Sequence, residues 1–200
     1  MMPSLVRFSF VAALGAAASL ALVGCSKDRA AHLEAWGAAV AQEHGTGIAV
    51  TGDVPCDDPP GLFQWSQDPE KLDARIVAAI DAVDSARSLG LDKSEIVLVG
   101  ESMGAARAEL LAARKPERYA RLVLVGAPET PSPKSLAGVR AVASLAGEKE
   151  PQAAMKNGAT ALAAAGKRAQ FWELPGAAHG EYGRDGARIM REAVTFVAAD

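Results

Sequence analysis

The chain has 200 residues, half of them hydrophobic and only 5% aromatic, with a formal net charge of −3. That length is enough to bury one full core, and a Gly-, Ala- and Val-rich composition of this kind excludes a disordered or fibrous chain. Basic residues are scattered along the sequence, so nucleic-acid binding has no electrostatic support.

In chain order, the first feature is an uncharged run from Phe8 to Gly24, FSFVAALGAAASLALVG, behind the single positive charge of Arg7. A short basic region followed by an apolar stretch is the pattern of a secretory signal. The run falls short of the roughly 20 apolar residues that a spanning helix needs, which makes a retained anchor the lesser alternative. Its end, Leu22 to Cys25 (LVGC), resembles a bacterial lipobox, in which the cysteine is lipidated and becomes the mature N-terminus. Ser26, where an aspartate would favour the inner membrane, points to a lipid-anchored protein of the cell envelope, on the outer membrane rather than the inner. Each acyl CH₂ buried in lipid contributes about 0.8 kcal/mol, so several chains hold a protein firmly. An ordinary signal peptide that happens to end near a cysteine is the plainer reading. The expected organisation is therefore a leader over 1–24, an anchor-proximal segment and helix over 25–46, and one domain over 47–200. With Cys25 lipidated, Cys56 has no partner, and neither a disulfide nor a metal-ligand spacing is expected.

Residues 29–43 place Leu33, Trp36 and Val40 on one helical stripe. Gly47 to Thr51 is a short buried strand, and the Pro-, Gly- and Asp-rich segment from Gly52 to Gly61 is a loop. Asp68-Pro69 then opens a helix, with aspartate as cap and proline in the first turn. Leu72, Ile76, Ile80 and Val83 form its buried face, and Gly90 ends it. Next come a strand at Ile96–Val99, a helix from Met103 to about Lys115, and strands at Arg121–Gly126 and Val139–Gly147. A helix at about Gln152–Ala165, a strand at Ala169–Gly176 and a closing helix at Gly186–Ala199 complete the chain. Strands alternate with helices, and most strands are continuous aliphatic runs, which predicts burial on both faces. The fold class this implies is α/β, a doubly wound, mostly parallel sheet with helices on both faces.

Ligands of such sheets lie at the carboxyl ends of the strands. There the sequence places Gly100-Glu101-Ser102-Met103-Gly104, a G-x-S-x-G pattern between strand and helix. Small residues flank the serine because strand and helix crowd together at so sharp a turn. The helix N-terminus beneath it offers free N–H groups and positive potential for a developing oxyanion. The plainer alternative is a serine that caps the helix. A nucleophilic serine needs a base and an acid that orients the base. Of the three histidines, His32, His44 and His179, only His179 follows the serine, in the Gly-rich loop PGAAHGEYG after the last strand. Glu148 and Glu150 follow the strand before it, in LAGEKEP, and Glu129 follows the strand before that, in GAPET.

These segments, VLVGESMGAA, LAGEKEP and LPGAAHG, resemble the α/β-hydrolase superfamily over about Gly47 to Ala199. GDVPC…W and DARI resemble, more faintly, secreted carboxylesterase and polyester-depolymerase relatives. The resemblance implies a nucleophile elbow at Ser102, His179 as base and the order serine, acid, histidine along the chain. It makes Glu150 the first choice for the acid, in a Gly-x-x-Asp-x pattern with glutamate in place of aspartate, Glu148 the second and Glu129 the third. The Met103 N–H becomes one oxyanion donor. The implied reaction is hydrolysis of a carboxylic ester, small or polymeric, through an acyl-enzyme, with no cofactor and no metal. Membrane contact is expected only through the N-terminal lipid.

Members of that superfamily usually carry an early strand whose following loop gives a second oxyanion donor. The sequence reads as having no strand before the helix at 29–43, so the fold is expected to lack its first strands. A reduced hydrolase, a degenerate one that binds ligand as a surface lipoprotein, and a sequence abridged at its N-terminus all fit that gap. The connection Ala127–Gly138 is short, which implies an open site without a lid. Phe63, Trp65 and Tyr182 either line it or pack beneath it.

Overall fold

The computed structural model describes residues 17–22, 37, 45–50, 52–55 and 63–199. Its frame is one six-stranded sheet whose strands run in parallel throughout. The strands are β1 (Ala17–Leu22), β2 (Thr46–Val50), β5 (Asp92–Glu101), β6 (Arg121–Val125), β7 (Ala141–Gly147) and β8 (Arg168–Leu174), in the order β2-β1-β5-β6-β7-β8. Two short strands, β3 (Val54–Pro55) and β4 (Phe63–Gln64), pair antiparallel beside it, within and just after the segment expected to be all loop.

Strand alternation divides the core in two. Ile96, Leu98, Leu122, Leu124 and Val142 face one side of the sheet. There they meet α1 (Pro69–Arg87), α2 (Met103–Arg114) and α3 (Ala153–Ala164) through Leu72, Ile76, Ile80, Leu111, Met155 and Leu162. Val97, Val99, Val123, Val125, Ala143 and Leu145 face the other side, against Ile189, Met190, Val194 and Val197 of α4 (Gly186–Ala198). Burying each such side chain fully contributes about 1.5–3 kcal/mol, which is why the central strands carry almost nothing else. Every residue of β6 and β7 is buried, as continuous aliphatic runs require. Edge strand β8 alternates more freely, because one of its sides is not paired.

The local signals behave as their chemistry dictates. The Asp68 side chain accepts from the N–H groups of Glu70 and Lys71, and Pro69 opens α1. That helix ends at Ser88 in the left-handed region, two residues before Gly90. The buried Asp73 of α1 accepts a 2.7 Å hydrogen bond from Tyr119, and Lys115 and Arg118 neutralise it, tying α1 to the α2–β6 connection. Among the described residues no helix is long and apolar enough to cross a membrane.

The N-terminal region departs from expectation. A strand does precede residues 29–43: Ala17–Leu22 forms β1, hydrogen-bonded to β2 on one side and β5 on the other. Among the expected first strands this one is present, so the reading of the 8–24 run as having no place in the sheet is corrected. An uncharged aliphatic run suits both a secretory leader and a strand inside a parallel sheet, so hydropathy alone did not disclose β1. The two uses exclude each other, since removal of residues 1–24 would take β1 away and leave β2 and β5 without their partner. Of the expected helix at 29–43, Gly37 is described, and it is helical. Cys25, Cys56, His32 and His44 lie outside the described residues.

A chain begun at Cys25 is therefore expected to lose cooperative thermal unfolding or to become insoluble, since two strand edges replace an interior strand. Circular-dichroism melting of the full chain beside this truncation checks it. An unchanged melting curve would show that β1 is dispensable.

Candidate active site

Parallel register brings the carboxyl ends of four strands to one edge. Glu101 pairs with Val125, Val125 with Leu145, and Gly147 with Leu174. The residues just past those ends are Ser102, Gly126, Glu150 and His179.

Ser102 has φ 52° and ψ −118°, outside the regions that non-glycine residues favour. Such a conformation costs on the order of 1–3 kcal/mol and persists only where its surroundings enforce it. Here the Ser102 N–H donates to the Val125 carbonyl at 2.8 Å, and the Ser102 carbonyl accepts from Ala105 at 3.0 Å as α2 begins. Gly100 makes the turn possible, because a Cβ there would collide with the backbone of Gly104 and Ala105. The side chain makes no capping bond to the helix. Its Oγ instead lies 2.9 Å from Nε2 of His179.

Nδ1 of His179 lies 2.6 Å from Oε2 of Glu150, and Oε1 of Glu150 accepts from the Gly147 N–H at 2.6 Å. A carboxylate can only accept, so Nδ1 carries the proton and Nε2 is left to accept from the serine hydroxyl. The Glu150 side chain is 10% exposed and that of His179 53% exposed, an enclosed acid behind an accessible ring. Gly126 runs directly beneath the pair. A Cβ there would lie 3.0 Å from Nδ1 and Cε1 of His179 and 3.2 Å from Oε2 of Glu150, and its φ is +53°. Sequence reading missed Gly126, although the glycine ending RLVLVG was a visible signal for a backbone in close approach.

The other two acid candidates lie elsewhere. Glu148 accepts from the Gly176 N–H at 2.7 Å and holds the histidine loop to the end of β7, helped by the bond from the Lys149 N–H to the Ala177 carbonyl at 2.9 Å. Glu129 is exposed, and its charge acts on Glu109 of α2. Burial, and secondly Glu129, push the Glu109 carboxyl up to about 7. Of the aromatic residues expected either to line the site or to pack, Trp65 and Tyr182 are core residues, while Phe63 is half-buried in β4. Met103, at the start of α2, is exposed beside the serine, and its N–H has no backbone partner among the described residues. Among them no group of His, Cys, Asp and Glu is placed to hold a metal ion.

This sheet order, with a serine at the strand–helix turn, gives the chain the α/β-hydrolase fold. Esterase PE8 is similar over 95% of this chain and 96% of its own, at 18% identity and TM-score 0.71. The fluorophosphonate-binding serine hydrolase FphF of Staphylococcus aureus, at 14% identity, matches 100% of this chain and 90% of its own with TM-score 0.60. A carboxylesterase from Mesorhizobium loti, at 21% identity, matches 89% and 88% with TM-score 0.55. No protein-family model matches the sequence, and no curated protein matches it.

This geometry has two measurable consequences. Gly126→Ala should displace the His179 ring, since the added methyl meets Nδ1 and the backbone must hold a left-handed φ at a cost of about 1–2 kcal/mol. A crystal structure of the variant with an unmoved ring would contradict this. Glu109 titrates well above its ordinary value of 4.5 in the folded chain, so it is protonated in both states below that pH and costs nothing. Between about 4.5 and 7 the unfolded chain ionises first and stability falls. Above that window the full penalty stands, on the order of 3 kcal/mol. Glu109→Gln should thus match the parent melting temperature near the lower end of the window and exceed it above the upper end. A pH-independent difference would refute the assignment.

Proposed function

We infer that the protein is a serine hydrolase that cleaves carboxylic esters through an acyl-enzyme. The observation that carries the reading is the continuous chain of contacts from Ser102 Oγ through both ring nitrogens of His179 to Glu150. The esterases and serine hydrolases of like fold support it. Ser102 Oγ attacks the ester carbonyl while its proton passes to Nε2 of His179. Glu150 holds the ring in the required tautomer and stabilises the imidazolium. The oxyanion forms against the Met103 N–H at the start of α2. Collapse expels the alcohol, which takes the proton from Nε2 and leaves an acyl group on Oγ. Water, deprotonated by the same nitrogen, adds to the acyl carbonyl, and the acid departs as Oγ recovers its proton.

A second oxyanion donor belongs to this reading. Leu22 of β1 pairs with Gly100, so β1 ends at the edge where Ser102 lies. The alternative, a degenerate hydrolase that binds ligand at the surface, rested on the lack of such a strand; β1 supplies a strand there, and labelling by a fluorophosphonate distinguishes the two readings. Substrates are carboxylic esters, small or polymeric, reached without a cofactor. The lipid anchor at Cys25 requires a chain shortened by β1, so we favour a chain that keeps residues 17–22 in the sheet. Intact-mass analysis of the protein from its host distinguishes the two: an acylated N-terminus at Cys25 would restore the envelope location.

A fluorophosphonate probe should label the purified chain, and Ser102→Ala should abolish labelling. If it labels, Glu150→Gln should lower ester hydrolysis by about 10⁴, the scale set by losing the tautomer-holding carboxylate. Glu148→Gln and Glu129→Gln should keep most of the activity, since neither carboxylate meets the ring. An inactive Glu129→Gln beside a healthy Glu150→Gln would move the acid to the end of β6.

A further inference from the structure

Glu101 immediately precedes the serine, and the mechanism above makes no use of it. Along β5, Val97, Val99 and Glu101 point to the same face, the one packed on α4. An aliphatic residue would be the ordinary continuation of that stripe. Glu101 instead buries a carboxylate to 6% exposure, which is costly unless hydrogen bonds compensate it. One such bond comes from the Tyr182 hydroxyl, which donates to Oε2 at 3.1 Å. The Tyr182 ring is itself fixed, buried in the cluster with Val97, Val99, Ile189 and Met190.

Tyr182 lies three residues after His179, in a loop with Gly176, Gly180 and Gly183 all at positive φ. Three such glycines leave the loop little stiffness of its own. On the N-terminal side of the histidine the loop is held to β7 through Gly176 and Ala177, and the Ala178 N–H donates to Glu181 at 2.9 Å. The Tyr182–Glu101 bond holds the other side. Oε1 of Glu101 also lies 3.5 Å from where a Cβ on Gly180 would stand, so the carboxylate underlies the residue next to His179 as well.

We propose that Glu101 is a positioning residue: through Tyr182 and Gly180 it fixes the histidine loop to the strand that carries Ser102, and so sets the distance from Nε2 to Oγ. Glu101 belongs to a buried strand and the Tyr182 ring is packed in the core, so the bond between them holds the loop at one height above the sheet. The proposal rests on the reading of Ser102 and His179 as nucleophile and base.

Tyr182→Phe removes one hydroxyl and keeps the packed ring, so the fold survives. With a p-nitrophenyl ester the variant should lose kcat by roughly 10–100-fold, the scale of a misplacement of about 1 Å, while KM stays near the parent value. The downfield proton resonance of His179 Nδ1–H, bonded to Glu150, should broaden or vanish. Glu101→Gln keeps an oxygen that accepts from Tyr182 and should stay within about threefold of the parent, whereas Glu101→Val should behave like Tyr182→Phe. An unchanged kcat and resonance in Tyr182→Phe, or a loss confined to KM, would overturn the proposal. A parent chain inert to esters and to fluorophosphonate would overturn the hydrolase reading instead, and the resonance comparison would still decide this one.

Discussion

The site depends on one strained residue. Ser102 turns the chain from the end of a buried strand into the first turn of α2, with a backbone conformation that costs on the order of 1–3 kcal/mol. Its own side chain does not stabilise it: the hydroxyl caps no N–H, and the residue is not glycine. Tertiary structure holds it, through the hydrogen bond to Val125 on the neighbouring strand and the close approach of α2 to Gly100. The gain is geometric, because a relaxed turn would let the hydroxyl cap the helix. The forced one directs Oγ to a histidine 77 residues further along the chain.

The same sheet that enforces this turn also supplies the partners. Parallel register aligns the carboxyl ends of β5, β6, β7 and β8, and the loop beyond each end contributes one part: the serine, a glycine floor, the acid and the histidine. Gly126 is as necessary to the arrangement as the polar residues. Its backbone passes so near His179 and Glu150 that a side chain there would occupy their space. Two glutamates near the chosen acid do other work. Glu148 holds the histidine loop from the end of β7, and Glu101 holds it from β5, so three carboxylates converge on one imidazole-bearing loop.

The N-terminal run shows how one physical property serves two ends. Export machinery and a doubly buried strand both select an uncharged aliphatic segment, and hydropathy alone does not tell them apart. What separates them is pairing. Ala18 to Leu22 align with Thr46 to Val50 on one side and with Ile96 to Gly100 on the other, and those partners are distant in sequence.

What the sequence by itself determined is local and periodic. The Asp68-Pro69 cap, the Leu72–Ile76–Ile80 stripe, the aliphatic runs of β6 and β7, and the glycines around Ser102 each have a short-range cause and were legible without coordinates. The histidine was legible through the family resemblance, whose serine–acid–histidine order selects His179 among the three. The tertiary structure decided everything that depends on strand pairing: the use of Ala17–Leu22 as β1, the contact of Glu150 rather than Glu148 with His179, the burial of Trp65 and Tyr182, and the passage of Gly126 beneath the ring. Glu148 and Glu150 are two residues apart in the same loop, with the same chemistry. Only the height of that loop against β8 determines which one meets Nδ1 and which meets a backbone N–H, and that height is set by hydrogen bonds between strands rather than by any feature of the residues themselves.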